Sequence, residues 1–163
     1  LYTYHSQPGS GSRHIVFHNH YKIAYLICEL NSTIEVLIYD GVGEFERMQV
    51  ISTLPDGYEG FNGTAAIRLS QDGKYLYASN RGHDSIVVYT ILADGSLELL
   101  EFVPTNGKTP RDFILSPDQE FLIAVHQDSD NATVFKRNPE TGRLAEISNE
   151  FHVPEAVCIS FTK

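Results

Sequence analysis

The chain repeats itself, and that recurrence limits its fold more than any other feature. Residues 65–91, AAIRLSQDGKYLYASNRGHDSIVVYTI, align with residues 111–137, RDFILSPDQEFLIAVHQDSDNATVFKR, at an offset of 46. The match runs through Leu69/Leu115, Ser70/Ser116, Asp72/Asp118, Leu76/Leu122, Ala78/Ala124, Asp84/Asp130 and Val88/Val134. Residues 13–39 join the set at an offset of 52 through Ile15/Ile67, Lys22/Lys74, Tyr25/Tyr77, Ile34/Ile86 and Val36/Val88. Pro154 opens one more partial copy, matching Pro110 at an offset of 44.

Each copy holds four short runs of Val, Ile, Tyr, Phe and Leu. In the second copy they are 65–70, 75–81, 85–92 and 97–104, parted by Gln71-Asp72-Gly73-Lys74, Gly82-His83-Asp84 and Ala93-Asp94-Gly95-Ser96. Asp-Gly between apolar runs marks a tight hairpin, because glycine accepts the positive φ such turns require. No segment sustains a helical period. Four antiparallel strands recurring every 44–52 residues predict an all-β chain of β-propeller blades. About three four-stranded blades are expected, at 13–53, 65–104 and 111–153, within one propeller domain. Partial blades should flank them: Leu1–Tyr4 as an outer strand of a preceding blade, and a closing inner strand at 155–161. Such a set would leave strand edges and apolar flanks open, so the expected macromolecular partner is the remainder of the propeller or another copy of the chain.

Twelve Lys+Arg against 21 Asp+Glu give a net charge of −9. That balance argues against nucleic acid or an anionic membrane as partner, since both need clustered cations. No apolar run approaches the ~20 residues of a spanning helix, and no leader is evident, so a cytoplasmic location is expected. The first residue is Leu1 and the only methionine is Met48, as in a processed chain or a piece of a longer one. Cys28 and Cys158 each sit in an apolar run and are expected to be buried free thiols.

Counting strands outward from the channel, the first and second of each blade meet at one rim. There the repeats place Arg13, Ala65, Arg111 and Glu155 at the starts of first strands, and Glu29, Arg81 and Gln127 at the ends of second strands. Fold-keeping positions such as Leu69/Leu115 barely change between copies, whereas these rim positions diverge into Arg, Glu and Gln. Solvated strand ends would also be polar. Three arginines and a carboxylate converging in an acidic protein point to one shared site instead. His14 and His83 are expected beside it. The longest connection on that rim, 54–63, absorbs much of the difference between the two offsets. His18-Asn19-His20 has a metal-like spacing but falls on the opposite rim, where a solvated turn is expected. Asp128-Ser129-Asp130-Asn131 lacks the later Gly and Glu of a calcium loop and reads as a self-capped turn. No Gly-x-Ser-x-Gly elbow is present. No metal or cofactor is expected.

The stretches RHIVFHNHYKIAYLICELNSTIEVLIYD, TAAIRLSQDGKYLYASNRGHDSIVVY and GKTPRDFILSPDQEFLIAVHQDSDNATVF resemble the seven-bladed propeller lactonase family. That family includes the propeller-type 6-phosphogluconolactonases and the carboxymuconate-lactonising enzymes. The resemblance covers essentially the whole chain and corresponds to the C-terminal half of such a protein. It implies a site of one histidine, two arginines and a glutamate. Arg13, Glu29 and Arg81 match the arginines and the glutamate, and the histidine belongs to a blade before Leu1. The implied activity is hydrolysis of 6-phosphoglucono-lactone to 6-phosphogluconate, with Glu29, Arg13 and Arg81 catalytic. His14, His83, Arg111 and Gln127 would bind a small anionic substrate. Cyclisation of a carboxymuconate would use the same arginines, and a non-catalytic propeller scaffold is the alternative of a different class.

Overall fold

The structure is a computed structural model and describes residues 2–162. Twelve strands form three antiparallel four-stranded sheets. The first holds β1 (Ser12–Phe17), β2 (Ile23–Cys28), β3 (Thr33–Tyr39) and β4 (Phe45–Ser52). The second holds β5 (Gly63–Leu69), β6 (Tyr75–Arg81), β7 (Ser85–Ile91) and β8 (Leu97–Pro104). The third holds β9 (Pro110–Leu115), β10 (Phe121–His126), β11 (Asn131–Arg137) and β12 (Leu144–His152). Each sheet is a meander, with strand order equal to chain order. The first strands β1, β5 and β9 lie side by side, so the blades fan outward from them.

Alternation along the strands supplies two apolar layers, one between each pair of blades. Ile23, Tyr25, Ile27, Ile34 and Val36 meet Ile67, Leu76, Ala78, Val87 and Tyr89 in the first layer. Tyr77, Ile86 and Val88 meet Phe113, Leu122, Ala124 and Phe135 in the second. Polar stitches recur at the outer edge: Gln49 exchanges two hydrogen bonds with the Leu97 backbone, and Glu101 accepts from Leu144 N–H at 2.9 Å and from Arg143 at 2.7 Å.

Arg137 is buried between blades, where its Nε donates to the Tyr77 hydroxyl at 2.7 Å and its Nη1 to the Gln119 carbonyl at 3.1 Å. Tyr77 in turn donates a hydrogen bond from its hydroxyl to the Gly142 carbonyl at 2.8 Å. Burial pushes that phenol up to about 12, so it stays a donor at any ordinary pH. Tyr77→Phe should therefore destabilise the fold by about 2 kcal/mol, since it strips a buried guanidinium of one partner and a carbonyl of another. Denaturant unfolding measures this, and an unchanged midpoint would show that the triad contributes nothing.

Four expectations require correction. Among residues 2–4 there is no strand (Leu1 lies outside the described residues). Instead this segment lies over the outer face of the first blade, where Tyr4 donates to the buried Glu35 carboxylate and Gln7 N–H reaches it at 3.2 Å. Residues 155–161 likewise form no strand. A strand exists through its ladder, and here the tail folds onto the third blade, with Ile159 N–H donating to Asp112 at 3.1 Å. Cys158 travels with it and is exposed, whereas Cys28 is buried as expected. Finally, His18 is not solvated. It occupies the repeat position of Ser70 and Ser116, whose hydroxyls accept turn amides. Its Nδ1 accepts the amides of His20 and Tyr21, both at 3.1 Å, which leaves Nε2 to donate to the Gly73 carbonyl at 3.0 Å. Residues 128–131 form the expected turn, with Asp130 in the left-handed region at φ 53°.

Candidate active site

The three inner strands share a defect at one repeat position. In the first blade Ser12 pairs with Cys28 and His14 with Ile27, leaving Arg13 as an extra residue. In the third, Pro110 pairs with His126 and Asp112 with Val125, leaving Arg111. In the second, Thr64 pairs with Asn80 and Ile67 with Ala78, so Ala65 and Ala66 oppose Ser79 alone. A bulge of this kind bends the strand and re-aims one side chain. Repeated in all three blades, it sets Arg13 and Arg111 at equivalent positions on one rim, with the buried Ala65 in the equivalent place between them.

Opposite these bulges stand the ends of the second strands. The Glu29 carboxylate joins two blades: Oε2 is 3.3 Å from Arg13 Nε, and Oε1 accepts from Arg81 Nη2. Arg81 also donates to the Gly63 carbonyl at 3.2 Å and to the Thr64 carbonyl at 3.3 Å, while Arg13 Nη1 donates to the Ala65 carbonyl at 3.4 Å. Both guanidiniums are thus anchored by backbone as well as by the carboxylate. Gly63 lets the Arg81 guanidinium approach closely. A Cβ at that position would stand 3.1 Å from Arg81 Nη2 and 3.7 Å from Glu29 Cγ, tight enough to move the pair. The three side chains are partly accessible, at 19% for Arg13, 35% for Glu29 and 15% for Arg81.

Burial lowers Arg13, Glu29 works against that, and Arg81 and Arg111 lower it further, so three guanidiniums share one electrostatic neighbourhood. Arg111 Nη1 donates to Gln127 Oε1 at 2.9 Å. His14 lies on β1 next to Arg13. Partial burial, with Arg13 and Arg68 close by, pushes its imidazole below the ordinary value and favours the neutral form. A neutral imidazole can both donate to and accept from a substrate hydroxyl.

His83 lies elsewhere. Its Nδ1 is 2.7 Å from the Ser85 hydroxyl, and its ring packs edge-on against Tyr58 at 5.0 Å and Phe102 at 5.9 Å. Its hydrogen-bond and ring partners are Asn62, Ser85, Tyr58 and Phe102, none of them in the Glu29 cluster. The 54–63 connection draws it away, docking against the second-blade turn where Gly82, at φ 118°, leaves space for the Phe61 carbonyl. Glu155, expected at the fourth first-strand position, sits in the tail, with its N–H on Asp130 at 2.8 Å. Besides Gly63, the repeat reading missed a second charged pair along the inner strands: Arg68 Nη2 donates to Asp112 Oδ1 at 2.8 Å. Its sequence signal is a cation near the end of an otherwise apolar first strand. Among the described residues no group of three His, Cys, Asp or Glu is placed to hold a metal ion.

A family model described as "Lactonase, 7-bladed beta-propeller" matches residues 1–161. The 6-phosphogluconolactonase of Bacillus subtilis is 41% identical over 156 residues, covering 94% of this chain and 45% of that protein. A crystal structure of a Lactobacillus plantarum protein superposes with a TM-score of 0.93 at 42% identity, over 95% of this chain and 46% of that one. The structure of a periplasmic gluconolactonase of Pseudomonas aeruginosa superposes with a TM-score of 0.88 at 33% identity, over 92% of this chain and 42% of that one. The chain spans about half the length of the curated relatives it matches.

Proposed function

Since the chain belongs to the seven-bladed β-propeller lactonase family, we propose that it supplies three blades and most of the active site of a ring that hydrolyses 6-phosphoglucono-lactone to 6-phosphogluconate. The observation that carries this reading is the Glu29 carboxylate held between Arg13 and Arg81 at the channel mouth. The name of the Bacillus subtilis relative supports the substrate.

Held between two cations, Glu29 suits the part of a base. A water beside it gives up a proton to the carboxylate as its oxygen attacks the lactone carbonyl. The carbonyl becomes an oxyanion, which the guanidinium N–H groups not committed to backbone can meet. When the tetrahedral intermediate collapses, the ring C–O bond breaks and the leaving oxygen takes the proton back. His14, next to Arg13 in the chain, is the proposed partner for a sugar hydroxyl; the lowering of its imidazole pKa by burial and by Arg13 supports that part.

The test is a hydrolysis assay of the complete protein on the phosphorylated lactone, with carboxymuconate cyclisation run beside it. Lactone turnover supports the reading. Muconate turnover alone, or neither reaction, would overturn it.

The remainder of the ring is the partner that fits the flanks. Ile15 and Phe17 are exposed on one side, Phe151 and Val157 on the other. Three blades of seven also agree with a 46% share of a relative's length. The isolated chain should therefore self-associate, and a stable, folded 18.3 kDa monomer in sedimentation would count against this. Among the described residues no helix is long and apolar enough to cross a membrane. A cytoplasmic location is proposed on Cys28 and Cys158 being free thiols; the Pseudomonas relative, by contrast, is a periplasmic protein.

A further inference from the structure

We infer that Arg111, oriented by Gln127, is the residue that recognises the phosphate end of the substrate; this rests on the lactonase reading above. Arg13 with Glu29 in the first blade and Arg111 with Gln127 in the third occupy the same repeat positions. Each arginine is the extra residue of its bulge, and each is held by the side chain that ends the neighbouring second strand. Only the holder differs. Glu29 orients and neutralises, whereas Gln127 orients through a 2.9 Å hydrogen bond and leaves the guanidinium its full charge. Arg111 enters no ion pair among the described residues. The neighbouring carboxylate, Asp112, is committed to Arg68 at 2.8 Å and to Ile159 N–H at 3.1 Å.

Three guanidiniums therefore share the mouth with one carboxylate, in a chain whose net charge is −9. Arg13 and Arg81 share Glu29 between them, whereas Arg111 on the third blade has only the neutral Gln127 as its holder. At the equivalent bulge the second blade carries the buried Ala65 in place of an arginine. A ligand with a reacting carbonyl at one end and a dianion at the other matches that layout. An arginine held in plane by a neutral amide keeps free N–H donors for bidentate bonds to a phosphate monoester. A carboxylate at position 127 would compete for those donors and cancel the charge.

The experiment uses the complete protein with Gln127→Glu, Arg111→Ala and Arg111→Lys. Position 127 accepts Glu on structural grounds, because Glu29 fills the equivalent place in the first blade. Two quantities are read: calorimetric affinity for inorganic phosphate, and the ratio of kcat/KM on phosphorylated over unphosphorylated gluconolactone. Gln127→Glu and Arg111→Ala should each weaken phosphate binding about 10-fold or more and lower the ratio about 10- to 100-fold, chiefly through KM, with Arg111→Lys retaining part of both. Unchanged phosphate affinity and ratio in Gln127→Glu would overturn the inference. So would an equal loss on both lactones, which would place Arg111 at the reacting centre. If the parent protein binds phosphate, loses it in these variants, and hydrolyses neither lactone, the anion site stands and the lactonase reading falls.

Discussion

Glu29→Gln in the complete protein should slow lactone hydrolysis about 10³-fold while lowering stability by no more than about 1 kcal/mol. Gln keeps the size of Glu and one acceptor oxygen, but cannot take the proton of the attacking water. Arg81 makes the shorter contact to Glu29, so the remaining oxygen should stay with Arg81 and turn the amide N–H₂ toward Arg13, whose contact is already 3.3 Å. The third blade shows the swap in place, with Gln127 holding Arg111 at 2.9 Å. The measurement pairs single-turnover rate with thermal midpoint. A variant that unfolds would make Glu29 a structural tie between two arginines. One that folds and turns over normally would transfer water activation to the histidine that the family resemblance puts in a preceding blade.

The blades were legible because their signals are local. Asp72-Gly73 and Asp94-Gly95 mark turns by backbone preference alone, and Leu69/Leu115 recur because both face an apolar layer. Arg13, Glu29 and Arg81 were legible because repeat alignment places the ends of first and second strands on one rim. What escaped depends on contacts between distant segments. Nothing in Arg13, Ala65 or Arg111 as residue types announces a bulge, since none is glycine. Gly63 matters only because the first and second blades dock and bring Arg81 onto Glu29. His83 was placed by its neighbour Arg81, yet Tyr58, 25 positions earlier, decides where its ring goes. Residues 155–161 carry the pattern of an inner strand, but pattern alone makes no ladder. Without a second strand beside it, that segment covers the third blade instead.

Arg81 should matter more than Arg13, and the reason is geometric. Its Nε and Nη2 reach two backbone carbonyls and the Glu29 carboxylate at once, leaving Nη1 aimed by a group fixed on three sides. Arg13 is tied by longer contacts, 3.3 Å to Glu29 and 3.4 Å to the Ala65 carbonyl. Arg81→Ala should therefore lower kcat/KM about 10²- to 10³-fold, roughly 3–4 kcal/mol of transition-state stabilisation, with Arg13→Ala costing about tenfold less. Arg81→Lys is the sharper variant. It keeps the charge but replaces a planar fork with a point donor that cannot span both carbonyls and the carboxylate. If charge alone served the oxyanion, Lys would restore most of the activity. The geometry requires that it restore little, and that the loss fall on kcat more than on KM. Full activity in Arg81→Lys would mean that Arg81 only balances Glu29, and would leave stabilisation of the oxyanion to Arg13.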